Sequence, residues 1–135
     1  MILELPITIK IGRKNFALNL NIYRNAHYLT LNRMKVEFGS EVSELISTLP
    51  VFKWVNLTYT LYPKTRRLCD VSNICSIVDK FFCDALVNQG KLEDDNYQIV
   101  RQVTYKFGQV DKENPRVTVE LEGDIHEDYS FAERD

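Results

Sequence analysis

Ile74, Ile77, Val78, Phe81, Phe82, Ala85 and Leu86 fall at i, i+3, i+4, i+7, i+8, i+11 and i+12. That spacing puts seven apolar side chains on one stripe of an α-helix, and such a stripe is satisfied only by burial against a second layer. Ser72 or Asn73 offers an N-cap and Gly90 a stop. A chain of 135 residues that commits one helix to a core is the size of a single domain and needs no disulfide or metal staple.

The rest of the chain supplies the layer that this helix needs. Ile7, Ile9 and Ile11 alternate with polar residues, as do Phe16, Leu18, Leu20 and Ile22, with Gly12–Asn15 as the turn of a hairpin. From Thr30 the period changes: Leu31, Met34, Phe38, Val42, Leu45 and Leu49 predict a helix to about Thr48, weakened at Gly39-Ser40 and closed by Pro50. Val55, Leu57, Tyr59 and Leu61 predict a long strand ended by Pro63. Two more strands are read around Ile99–Phe107 and Val117–Leu121, with residues 111–115 as the turn between them. The order is ββ-α-β-α-ββ. The expected fold is a single small α+β domain, with a mixed β-sheet of four to five strands and two main helices.

Nothing in the sequence reads as a membrane span, since no apolar run reaches 18 residues, and the start MILELPITIK lacks a secretion signal. Cys69, Cys75 and Cys83 are odd in number and match no zinc spacing, so reduced thiols and a cytoplasmic location are expected.

Charge is unevenly distributed. Residues 1–67 carry 10 Lys+Arg against 4 Asp+Glu, and residues 68–135 carry 7 against 15. Residues 120–135 alone hold seven acids and one Arg134. The expected division is a folded domain over residues 1–123 and an acidic, flexible tail over 124–135, expected to compete with phosphates for the basic face or, alternatively, to engage a basic protein.

The acids around the second helix are the candidate chemistry. Asp70 precedes the helix, and Asp94 and Asp95 follow it beyond Gly90. A helix of this length holds its ends about 25 Å apart. These acids therefore meet within one chain only if the following segment folds back, or they meet across a dimer. Asp79 lies about 20° around the helix from Ser72, and Lys80 and Asp84 are an i,i+4 pair.

Asp70-x-x-Asn73, Lys80-x-x-x-Asp84-Ala85-Leu86 and Gly90-x-x-x-Asp94-Asp95 resemble the signature of the RusA-type Holliday-junction resolvases. The likeness covers residues 66–97, with a fainter match at residues 21–28. It implies a homodimeric, magnesium-dependent endonuclease, with manganese an alternative metal, that nicks branched DNA in recombination, repair or phage DNA processing. By position it implies Asp70, Asp95 and Asp94 as metal ligands and Lys80 as the cation beside the phosphate. Ser72 stands where the family has its second aspartate, and the helix is one turn longer before Lys80. Asp79 is the expected substitute carboxylate. Asn21, Tyr23, Arg24, His27, Lys64, Arg66 and Arg67 are the expected DNA contacts, with Trp54 and Tyr62 as stacking candidates. The rival expectation is a non-catalytic module on the same fold, binding branched DNA or a protein with a degenerate active site.

Overall fold

A computed structural model describes residues 1–126 of the protein. The elements are β1 (Ile2–Leu5), β2 (Thr8–Ile11), β3 (Lys14–Ala17), α1 (Leu20–Asn25), α2 (Tyr28–Ser47), β4 (Phe52–Tyr62), α3 (Val71–Asn88), β5 (Val100–Phe107) and β6 (Arg116–Ile125). The domain is α+β. A mixed four-stranded sheet has the order β1-β6-β4-β5, and β2 and β3 form a separate two-stranded hairpin.

β4 is the centre of the sheet because its alternation is complete. Val55, Leu57, Tyr59 and Leu61 are buried, while Trp54, Asn56, Thr58, Thr60 and Tyr62 lie half-buried on the opposite face. It pairs antiparallel with β6 and parallel with β5. Parallel neighbours need a long crossover, and α3 is that crossover. Its stripe of Ile77, Val78, Phe81, Phe82, Ala85 and Leu86 is buried. α2 contributes Met34, Phe38, Val42 and Ile46 to the same core, at intervals of four residues. The helix runs unbroken through Gly39-Ser40. Gly90, at φ 75°, lies just past the end of α3, in backbone that favours glycine.

Four features depart from the sequence expectations. The strand expected over Phe16–Ile22 stops at Ala17, and Leu20 and Ile22 belong to α1. Asn19 decides this by accepting a 2.9 Å hydrogen bond from the Ile22 N–H, an N-cap that outweighs period-2 spacing. β1 is an additional strand, paired antiparallel with β6. α3 is capped by Asp70 rather than by Ser72 or Asn73. β6 reaches Ile125, which pairs with Phe52, so Asp124 and Ile125 lie in the strand. The remainder of the expected tail, from residue 127, lies outside the described residues. Among the described residues, no helix is long and apolar enough to cross a membrane.

Candidate nucleic-acid interface

Asn73 joins two helix starts. It sits in the first turn of α3, and its Oδ1 accepts a 3.2 Å hydrogen bond from the Leu20 N–H at the start of α1. The first N–H groups of a helix have no partner within it, so a side chain from another element can latch it in place. The latch holds α1 beside α3, and the 63–70 segment closes the third side. Between them lies an open cleft of 890 Å³.

Cations dominate this cleft. Among the described residues, Arg24, Lys64 and Arg67 line it with Asn21, Asn73 and a single carboxylate, Asp70. Asp70 is the N-cap of α3 by position, but its side chain makes no capping hydrogen bond. Its backbone carbonyl accepts from the Asn73 N–H at 3.0 Å. The carboxylate is left available to face the cleft, and the three cations favour an anionic, multi-point ligand. Four of the seven expected DNA contacts, Asn21, Arg24, Lys64 and Arg67, come together here.

The other three are elsewhere. Tyr23 packs its ring 6.4 Å from Phe81 and lies under the Lys80 ammonium at 5.9 Å. His27 caps α2, its Nδ1 accepting from the Leu29 N–H at 3.2 Å. Arg66 lines a smaller groove on the far side of the 63–70 segment. Trp54 and Tyr62 already carry cations on their rings: Arg101 lies 4.6 Å from the Trp54 centroid and Arg116 lies 4.0 Å from that of Tyr62.

The expected acids do not form one site within the chain. Asp94 and Asp95 line a second cleft with Lys35 and Asp84, not the cleft of Asp70. Asp94 is engaged locally, accepting from the Asp95 N–H at 2.8 Å and from Asn96 Nδ2 at 2.9 Å, and these bonds hold its carboxyl below the usual range. Asp84 pairs with Lys35 of α2 at 3.6 Å rather than with Lys80.

Asp79 turns toward the sheet. Its carboxylate accepts from the Tyr59 hydroxyl at 2.7 Å, the Tyr105 hydroxyl at 2.9 Å and the Cys83 thiol at 3.3 Å. Burial is the main cause that raises both tyrosines and Cys83, and the neighbouring carboxylate raises them further. Cys75 is pushed up to about 12 by burial and by Asp79. These thiols are inert packing groups rather than nucleophiles. Asp79 is not among the residues that line the cleft of Asp70, so it does not replace there the carboxylate missing at Ser72. The direction of Asp79 around the helix was computable, but the two hydroxyls waiting on β4 and β5 were not.

The donor set decides whether one chain fits a magnesium ion. Such an ion takes one or two carboxylates, retains waters and is completed by substrate phosphates. Among the described residues, the basic cleft offers Asp70 alone. Among the described residues no group of three His, Cys, Asp or Glu side chains is placed to hold a metal. The ligand set implied by resemblance is therefore not assembled within one chain. Comparison by sequence finds no family model and no curated protein that matches the chain.

Proposed function

We propose that the protein binds branched DNA through phosphates seated in the cleft between α1, the 63–70 segment and α3. The observation that carries this reading is the convergence of Arg24, Lys64 and Arg67 with Asn21 and Asn73 around one 890 Å³ cleft. Guanidinium and ammonium groups with amide donors suit phosphate oxygens and fix the register of a backbone without reading bases. The preference for a branch comes from the likeness of residues 66–97 to the RusA-type resolvases. The test is competition between a four-way junction and a linear duplex of equal length. Junction binding at least tenfold tighter supports the reading, and equal binding removes the branch preference.

A second reading is strand cleavage. It is favoured by the Asp70 carboxylate, which lies uncapped among the cleft's cations. Because the remaining acids lie in another cleft, cutting would require Asp94 or Asp95 of a second chain beside Asp70. Incubation of a labelled junction with and without Mg²⁺ separates the two readings. Symmetric nicks that vanish in Asp70→Asn support cleavage, whereas tight binding without nicks leaves the protein a binding module.

A further inference from the structure

Among the described residues, β5 is the last strand in the sheet order and is hydrogen-bonded only to β4. Alternate N–H and C=O groups of an edge strand point away from its single neighbour and are free to pair with another chain. Proteins usually shorten, charge or cover such an edge. The opposite edge, β1, follows that habit with four residues. β5 has eight, and it also exposes apolar side chains: Val103 is 40% and Phe107 58% exposed. Both share a face with buried residues of β4, since Val103 is level with Leu57 and Phe107 with Leu61. The helix layer reaches β5 at Tyr105, which Asp79 of α3 holds, but leaves Val103 and Phe107 uncovered on either side of it.

Further apolar surface flanks the strand at both ends. Tyr97, just before it, is 84% exposed, and Leu68, beside its far end, is 96% exposed. At that far end Phe107, Val110, Leu68, Leu61 and Val71 line a 300 Å³ groove. Apolar surface gathered along one unpaired edge marks an interaction surface.

We propose that this edge is a seam between two copies of the chain, with β5 paired antiparallel to β5 about a two-fold axis through Thr104. The sequence of β5 favours a second copy as the occupant. About Thr104, Val103 faces Tyr105 of the other copy on the helix side, and Gln102 faces Lys106 on the open side. The two cations of the strand, Arg101 and Lys106, do not meet, whereas like charges directly opposite would destabilise the pair. The register puts the irregularity between Val55 and Asn56, where Arg101 is left over to stack on Trp54, at the outer end of the seam, beyond the Gln102–Lys106 pair. Antiparallel pairing lays the start of one β5, with its exposed Tyr97, against the end of the other, where the apolar groove lies. The sheet then runs through both copies as eight strands. The family likeness implies two copies but says nothing of the surface, and the seam stands independently of the DNA reading. A monomer that still binds junctions would sink the seam and leave the cleft intact.

Sedimentation of the full chain tests the stoichiometry, with a dimer expected. Val103→Asp and Phe107→Asp alter side chains that are already exposed, so each should give a folded monomer with unchanged circular dichroism. The register is tested by oxidation in a Cys69→Ser background. Thr104→Cys sits on the axis, with Cα atoms about 5 Å apart, and should crosslink to itself. Gln102→Cys lies about 13 Å from its copy and should not. A wild-type chain that stays monomeric at several hundred micromolar overturns the proposal, as does a dimer in which Thr104→Cys fails to crosslink. If an aspartate variant does not fold, the crosslink alone decides.

Discussion

The Tyr59 hydroxyl, buried on the central strand, donates a 2.7 Å hydrogen bond to the Asp79 carboxylate on the helix above it. Tyr105 on β5 does the same at 2.9 Å, so one carboxylate ties α3 to two parallel strands. A carboxylate held by two hydroxyls and a thiol under a helix is an anchor between layers. Removing it strands both hydroxyls, and an unsatisfied buried polar group costs about 1–3 kcal/mol. Asp79→Ala is expected to lower stability by about 2–3 kcal/mol in urea unfolding while junction binding by the folded variant stays unchanged. If the variant keeps its stability and loses binding or cleavage, Asp79 belongs to the chemistry.

The same tyrosines set an alkaline limit. Burial raises both above their ordinary 10.0, and Asp79 raises them further. A group whose folded pKa is raised contributes stability that is fully present below its unfolded pKa. That contribution is lost as pH rises above about 10 toward the folded value, because the unfolded chain releases the proton first. Stability should therefore be unaffected by these groups at pH 8 and should fall above about pH 10. Tyr105→Phe should flatten part of that fall. Urea midpoints measured from pH 8 to 11.5 on both proteins check it, and identical slopes would exclude Tyr105 as the source.

Much of the fold was legible, and the limits have physical causes. The α3 stripe and the alternation of β4 each repeat over enough residues to fix an element and its buried face. Leu20 and Ile22 misled because two apolar residues two apart also suit the start of a helix, and only the Asn19 side chain breaks the tie. Parallel pairing of β4 and β5 is written in no local pattern. It follows from α3 having to cross between them. For the candidate site, helix length alone set Asp70 apart from Asp94 and Asp95. The gathering of Arg24 with Lys64 and Arg67 spans some forty residues of chain and depends on the Asn73 latch, whose partner is a backbone N–H that no side-chain motif reveals.

That latch gives a third prediction. Asn73→Ala removes the acceptor from the Leu20 N–H, which lies in a partly buried contact. The stability cost should be modest, about 1 kcal/mol. Junction affinity should fall more, because α1 carries Asn21 and Arg24 to the cleft. Asn73→Asp keeps an acceptor oxygen and should retain the stability while weakening DNA binding through its charge. Equal affinity in all three proteins would show that α1 is held by its packing alone.

The cleft cations should also be distinguishable by salt. Arg24→Ala, Lys64→Ala and Arg67→Ala should each weaken binding to junctions of any sequence and reduce the slope of log K against log salt by about 1, the signature of one lost phosphate contact. Arg13→Ala, on the turn of the hairpin, serves as the control. Isotherms between 0.05 and 0.2 M salt read both quantities. A slope that does not change in any of the three cleft variants removes the phosphates from the cleft.

The acidic end of the chain makes a prediction that depends on distance. β6 pairs Ile125 with Phe52, so residue 126 leaves the sheet at the end of β4 remote from Pro63 and the basic cleft. Ten strand steps separate those ends, roughly 30 Å. Residues 127–135 carry four acids and one Arg134. Charges held near that exit would act on a bound phosphate only through the field, whose range is about 30 Å at 0.01 M salt but about 8 Å at 0.15 M. Ending the chain after His126 should therefore tighten junction binding at 0.01 M and leave it unchanged at 0.15 M. Nine residues of extended chain also span about 30 Å, enough to reach the cleft. A gain that persists at 0.15 M would thus mean that the segment touches the cleft cations directly and competes with phosphate for them. No gain at either salt would direct the segment away from DNA and toward a basic protein partner.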